Sequence, residues 1–101
     1  MSSDKKDNRK ERDNSIYIGQ KDTMKYVLAC ITAVQSGSKQ LILKARGRAI
    51  SRAVDVAEIC RNRFMKDQLN INKIEIGTEE IQSKDRGNFS VSTIEITLNF
   101  K

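Results

Sequence analysis

The chain has no histidine, no proline and no tryptophan, and only two cysteines in 101 residues. Without histidine, the commonest general base and the commonest metal ligand are both missing. No pair of carboxylates stands at a spacing that calls for acid–base work, so the expectation is a protein that is not an enzyme, with no catalytic residue, metal or cofactor. Cys30 and Cys60 are too few for a disulfide framework or a four-ligand zinc site. Both fall inside apolar helical patterns and read as reduced core residues. The lack of proline removes the usual stop signals, so element boundaries rest on glycine and patterning. No stretch approaches the roughly 20 apolar residues that cross a bilayer. The N-terminus is charged where a signal peptide would carry an apolar core, and the expected location is the cytoplasm, with no membrane partner. With five aromatics in all, no base-stacking platform is evident.

What the chain has in excess is positive charge: 19 Lys and Arg against 13 Asp and Glu, a formal +6. Such a balance favours a polyanionic partner, although charge alone does not choose among nucleic acid, an anionic surface and plain solubility. Residues 1–14 mix five basic with four acidic side chains, lack any large apolar residue beyond the first methionine, and read as a disordered tail. Nearly all of the net charge therefore belongs to one predicted domain, 15–101. A domain of about this length buries a modest core, which makes self-association a natural source of further stability.

Patterning supplies six elements. Ser15 to Ile18 reads as a strand cut by Gly19, and Met24, Val27, Leu28, Ile31 and Val34 recur at helical spacing behind an Asp22 or Thr23 cap until Gly37. Gln40 to Ala45 gives a second strand, apolar enough to be central with no face in water. From Ala49 to about Met65 a second helix carries the stripe Ile50, Ala53, Ala57, Cys60, Phe64, widened by Val54 and Val56. Residues 71–81 alternate loosely through Ile74, Ile76 and Ile81; residues 89–100 alternate cleanly through Ile94, Ile96, Leu98 and Phe100. Lys84-Asp85-Arg86-Gly87-Asn88 joins them as a charged hairpin tip. The predicted class is α+β: a two-layer βαβαββ sandwich with a mixed four-stranded sheet, two helices on one face and an extended hairpin arm.

The basic residues fall in three places. Lys39, Lys44, Arg46, Arg48 and Arg52 occupy a window, 39–54, without an acid. Arg46 and Arg48 flank Gly47 at a strand-to-helix junction, where free N–H groups and the helix dipole also favour an anion and a guanidinium offers forked donors to phosphate. Gly19-Gln20-Lys21, backed by Lys25, forms a second turn that the topology places at the same sheet edge. Lys84 and Arg86 on the arm are a third point, suited to a minor groove. Spacing alone leaves the bland reading open at each place: solvated basic loops and an ordinary soluble turn. Phe64, among Arg61, Arg63 and Lys66, is equally open between core and exposed contact.

Ile18-Gly19-Gln20-Lys21, Tyr26-Val27-Leu28-Ala29, Leu43-Lys44-Ala45-Arg46-Gly47-Arg48-Ala49-Ile50-Ser51, Ala53-Val54-Asp55, Arg61-Asn62-Arg63-Phe64 and Val91-Ser92-Thr93-Ile94-Glu95-Ile96 together resemble the Alba family of archaeal chromatin proteins, over about residues 15–101. The resemblance implies a homodimer with the fold of the C-terminal domain of a bacterial translation initiation factor. It also implies binding of double-stranded DNA and of RNA, location on the chromosome, and no catalysis. The roles it assigns are Arg86 at the minor groove, Lys21, Arg46 and Arg48 on backbone phosphates, and Phe64 between dimers in higher assembly on DNA. Gln20, Lys44, Gly47, Arg52 and Lys84 complete the candidate nucleic-acid surface. One departure stands out: the family's usual Gly-Lys-Lys turn is here Gly19-Gln20-Lys21, with a neutral residue that cannot be acetylated. The sequence leaves open a ribonucleoprotein component, with RNA as target, a protein-binding scaffold and, in a different class, a metal-dependent nuclease.

Overall fold

A computed structural model describes residues 14–101; apart from Asn14, the segment read as a tail lies outside the described residues. Six elements follow in the expected order: β1 (Ser15–Tyr17), α1 (Thr23–Gln35), β2 (Gln40–Arg46), α2 (Ala49–Ile59), β3 (Leu69–Ser83) and β4 (Gly87–Phe100). One π-helical turn, Cys60–Phe64, prolongs α2. The sheet order is β1-β2-β4-β3, with β1 parallel to β2 and the other pairs antiparallel. This is the mixed α+β sheet that the alternation of helical and strand periods called for.

Register explains which side chains go inside. Leu41, Leu43 and Ala45 of β2 stand opposite Leu98, Ile96 and Ile94 of β4, and all six are buried. Val27 and Cys30 from α1, and Ala53, Val56, Ala57 and Cys60 from α2 and its extension, close over that face. Leu43, Leu98, Val27 and Val56 are among the fully buried side chains, each removing apolar surface worth about 1.5–3 kcal/mol from water. Cys30 and Cys60 are buried thiols with no disulfide between them, paired by a side-chain hydrogen bond. That hydrogen bond, with burial behind it, pushes the Cys30 thiol well above the usual thiol range.

β2 is central, as its apolar run implied, yet it does have a face in water. Both helices cover the same side of the sheet, so the alternate residues Lys44 and Arg46 stand on an open face and Arg46 is exposed. The loose alternation of β3 also has a cause. A bulge between Ile71 and Lys73 shifts the phase by one residue, so Leu69 and Ile71 before it, and Ile74 and Ile76 after it, share the helix-side face. Ile81, five residues beyond Ile76, falls on the opposite side, across from Phe89.

A comparable phase change settles Phe64. Met65 N–H bonds to the Cys60 carbonyl, five residues back, at 2.8 Å. The extra residue in that turn gives the next inward position to Met65, which is buried, and leaves Phe64 49% exposed. Simple helical spacing had continued the stripe through residue 64.

Candidate nucleic-acid interface

The β1–α1 turn is held from two sides. Gly19 N–H and Lys21 N–H donate to the hydroxyl oxygen of Tyr26, one turn into α1, at 2.9 and 3.1 Å. Arg52, in the second turn of α2, donates from Nη1 to the Gly19 carbonyl at 2.8 Å. Gln20 and Lys21 are left exposed at the tip of a turn held at the Gly19 and Lys21 N–H groups and the Gly19 carbonyl. The Asp22 side chain makes no capping bond; its carbonyl receives the Lys25 N–H at 3.0 Å.

The β2–α2 junction lies beside it, because Arg52 reaches across. Gly47 has φ +59, a left-handed conformation that a side chain would strain, and nothing within 4 Å crowds its Cβ position. Its N–H bonds to the Ser92 carbonyl at 2.9 Å, which pins the loop to β4. Arg48 is the N-cap residue of α2; no side chain caps that helix and no acid stands in its first turn. The Arg52 bond sets the turn that carries Lys21 beside the start of α2, where Arg48 stands and where Ile50 N–H bonds to the Gly47 carbonyl at 3.2 Å; the cations and the helix dipole on this edge suit phosphate oxygens.

The acid-free window 39–54 is not one cluster in space. Lys39 lies at the far end of β2, where its carbonyl accepts the Phe100 N–H, about 20 Å from Arg46 at strand spacing. Lys44 and Arg46 stand on the open face, where the neighbouring strands supply acids. Arg46 Nη1 lies 2.9 Å from Glu79 of β3, and Lys44 Nζ lies 3.8 Å from Glu95 of β4. Exposed pairs of this kind are worth about 0–1 kcal/mol, so a phosphate can displace the carboxylates at little cost.

Lys84 and Arg86 sit exposed at the hairpin tip, away from the other cations. The last pairing of β2 with β4 is Arg46 with Thr93, so 78–83 and 87–92 pair only with each other. That leaves an arm about 20 Å long at strand spacing. Ser83 Oγ accepts the Asp85 and Arg86 N–H groups at the bend, both at 3.2 Å, and Gly87 takes φ +74. Arg86 lies over the Phe89 ring, 5.5 Å from its centre.

Sequence reasoning missed Tyr26, Glu79, Glu95 and Tyr17. Tyr26 entered only within the segment Tyr26-Val27-Leu28-Ala29, with no role for its hydroxyl, and the two glutamates meet their cations only through strand register. Tyr17, in the first strand, is 69% exposed on the open face, with Lys44 Nζ 5.7 Å from its ring centre. Among the described residues, no group of three Cys, Asp or Glu side chains is placed to hold a metal ion.

This arrangement has relatives. The family model Alba matches residues 14–78. The chain is 51% identical over 86 residues to the DNA/RNA-binding protein Alba of Methanocella arvoryzae, which spans 85% of this chain and 88% of that one. Among solved structures it is similar to Alba from Thermoplasma volcanium, with a TM-score of 0.79, 47% identity and coverage of 84% of this chain and 98% of that one. It is also similar to an Alba protein of Trypanosoma brucei, with a TM-score of 0.65, 25% identity and coverage of 87% and 69%. The strand and helix order, the paired basic turns and these matches agree: the chain belongs to the Alba family.

Proposed function

We propose that this protein is an architectural nucleic-acid-binding protein that holds double-stranded DNA as a homodimer, through backbone phosphates and the minor groove. The observation that carries the reading is the convergence of Lys21, Arg48 and Arg52 on one edge, tied by the Arg52 bond to the Gly19 carbonyl. The projecting arm puts Lys84 and Arg86 where a narrow groove with enhanced negative potential can receive an arginine. A relative named as a DNA/RNA-binding protein supports the same class of partner. Binding, not catalysis, is the role we assign, with residence in the cytoplasm on the chromosome and a part in chromatin organisation.

Homodimer formation is supported by Ile74 and Ile76, 57% and 83% exposed on the helix side of β3, where neither helix reaches. Two neighbouring isoleucines in water are an unusual cost for a monomer, and a second copy would cover them. Phe64 is the corresponding candidate for contact between dimers along DNA. Gln20, exposed in the turn, removes one phosphate-facing charge per subunit relative to the family's usual turn. Gln20→Lys should therefore tighten binding and steepen its salt dependence by up to ~0.9 for each phosphate the new lysine neutralises.

RNA is the second reading, favoured by the double designation of the Methanocella relative; the protein would then serve in a ribonucleoprotein. Duplex binding followed by fluorescence anisotropy across a salt series, with Arg46→Ala/Arg48→Ala beside the wild type, tests the primary proposal. Steep salt dependence in the wild type and collapse in the mutant are expected. Weak wild-type binding to DNA at low salt, with tight binding to RNA duplexes of equal length, would transfer the role to RNA.

A further inference from the structure

Two reactive groups lie in the core, away from every basic turn. Cys30, in the third turn of α1, and Cys60, the first residue of the π-helical turn, are fully buried and come from elements far apart in the chain that pack together. A lone core cysteine behaves as a small, inert hydrophobe, because burial favours the neutral thiol. This pair differs, since the hydrogen bond between the sulfurs moves the two thiols in opposite directions. It holds Cys60 below the usual thiol range although burial acts against it, and it raises Cys30, where burial acts the same way. One sulfur is therefore the readier nucleophile, and its partner stands beside it. The turn that carries Cys60 also has give. Its carbonyl bonds five residues on, to Met65 N–H at 2.8 Å, a wider winding than an α-helix and one that recurs at functional sites.

We propose that Cys30 and Cys60 form an oxidation site for small hydroperoxides, which closes to an intramolecular disulfide and ties α1 to the π-helical turn. The inference stands apart from the nucleic-acid reading and uses none of its residues. In the first step the Cys60 thiolate attacks one oxygen of hydrogen peroxide. An S–O bond forms as the O–O bond breaks, hydroxide leaves and takes up the thiol proton as water, and Cys60 becomes a sulfenic acid. The Cys30 sulfur then attacks the Cys60 sulfur. The S–S bond forms as the S–O bond breaks, and the departing hydroxide leaves as water with the Cys30 proton. Two thiols lose two electrons, and the peroxide is reduced to two waters. Hydrogen peroxide is small and uncharged, so a local opening of the π-helical turn is enough to admit it. From hydrogen-bond contact the sulfurs have a short gap to close before they reach the S–S length of about 2.05 Å. The cross-link would span a loop of about 30 residues, long enough to restrict the unfolded chain considerably.

The chain holds no other cysteine, so thiol counting reports the event without ambiguity. The folded wild type is incubated with hydrogen peroxide, quenched with catalase, unfolded in urea and alkylated, and its peptides are weighed. Both thiols should disappear together into a Cys30–Cys60 cross-linked peptide, and dithiothreitol should restore both. Cys30→Ala should stop at a Cys60 sulfenic acid that dimedone captures, whereas Cys60→Ala should leave the Cys30 thiol free to alkylate. The oxidised wild type should melt about 10 °C higher than the reduced protein. Thiols that stay free in the folded wild type while the urea-unfolded chain oxidises, a disulfide between two chains instead of within one, or over-oxidation of Cys60 beside a free Cys30 would each overturn the site. A melting temperature that is unchanged or lower after complete cross-linking would overturn the tie between α1 and the turn.

Discussion

Arg46 faces Glu79 across the open side of the sheet at 2.9 Å, so a phosphate that approaches this arginine meets a carboxylate already in place. Glu79→Gln removes that competitor. Duplex affinity should rise by about two- to fivefold, the scale of an exposed ion pair, and the slope of affinity against salt should steepen. Unchanged titrations at low salt would mean that Arg46 makes no phosphate contact. Tyr26 acts in the other direction, since its hydroxyl accepts from both Gly19 and Lys21. Tyr26→Phe keeps the buried ring but orphans two amides, at about 1–3 kcal/mol for groups left unpaired. A lower urea midpoint and faster amide exchange at Gly19 and Lys21 are expected; full protection at both amides would show that something else holds the turn. Neither the acceptor role of Tyr26 nor the facing of Glu79 and Arg46 was legible in the sequence. The first needs a helix turn folded back on a loop, and the second needs the register of three strands.

Among the elements, the hairpin is where sequence and structure agree in kind and differ in cause. Turn residues and clean alternation in 89–100 announced it, yet the freedom of its outer half comes from β2 ending at Arg46, opposite Thr93. A two-stranded ribbon on its own is marginal in water. Amides of 78–83 and 87–92 should therefore exchange with solvent faster than those of 93–99, which pair on both sides. Comparable protection along all of β4 would contradict a free arm. Lys84→Ala/Arg86→Ala should then weaken duplex binding and lower its salt slope by about 0.9 for each phosphate the tip had neutralised, with no change in melting temperature because the tip packs against nothing but itself. The bulge at Ile71/Lys73 and the π-helical turn at Cys60–Phe64 were both invisible to pattern reading. Each inserts one residue into a repeat, and periodicity assumes that none is inserted.

At the scale of the whole molecule, helices that cover only part of one sheet face leave two surfaces to explain: the charged open face, and the uncovered strip of β3 that carries Ile74 and Ile76. Ile76→Glu tests the second. At 83% exposure the substitution should be tolerated by the subunit itself, so the expected result in sedimentation equilibrium is a dimer for the wild type and a folded monomer for the variant. Duplex affinity should fall with it, since two linked sites bind more tightly than one. A variant that still sediments as a dimer would move the interface elsewhere.

The order of elements, the helix-side core of β2 and β4, the basic turns and the family were all determined by the sequence, because hydrophobic period, glycine position and motif order act locally and survive without coordinates. Which cations stand together was decided only by the tertiary structure. Alternation along β2 sends Lys44 and Arg46 to the open face, the crossover brings Arg52 to the Gly19 turn, and chain length carries Lys39 to the opposite end of the strand. Charge clusters form across strands and loops distant in sequence, and the pairing that creates them is set by packing of the whole sheet against its helices.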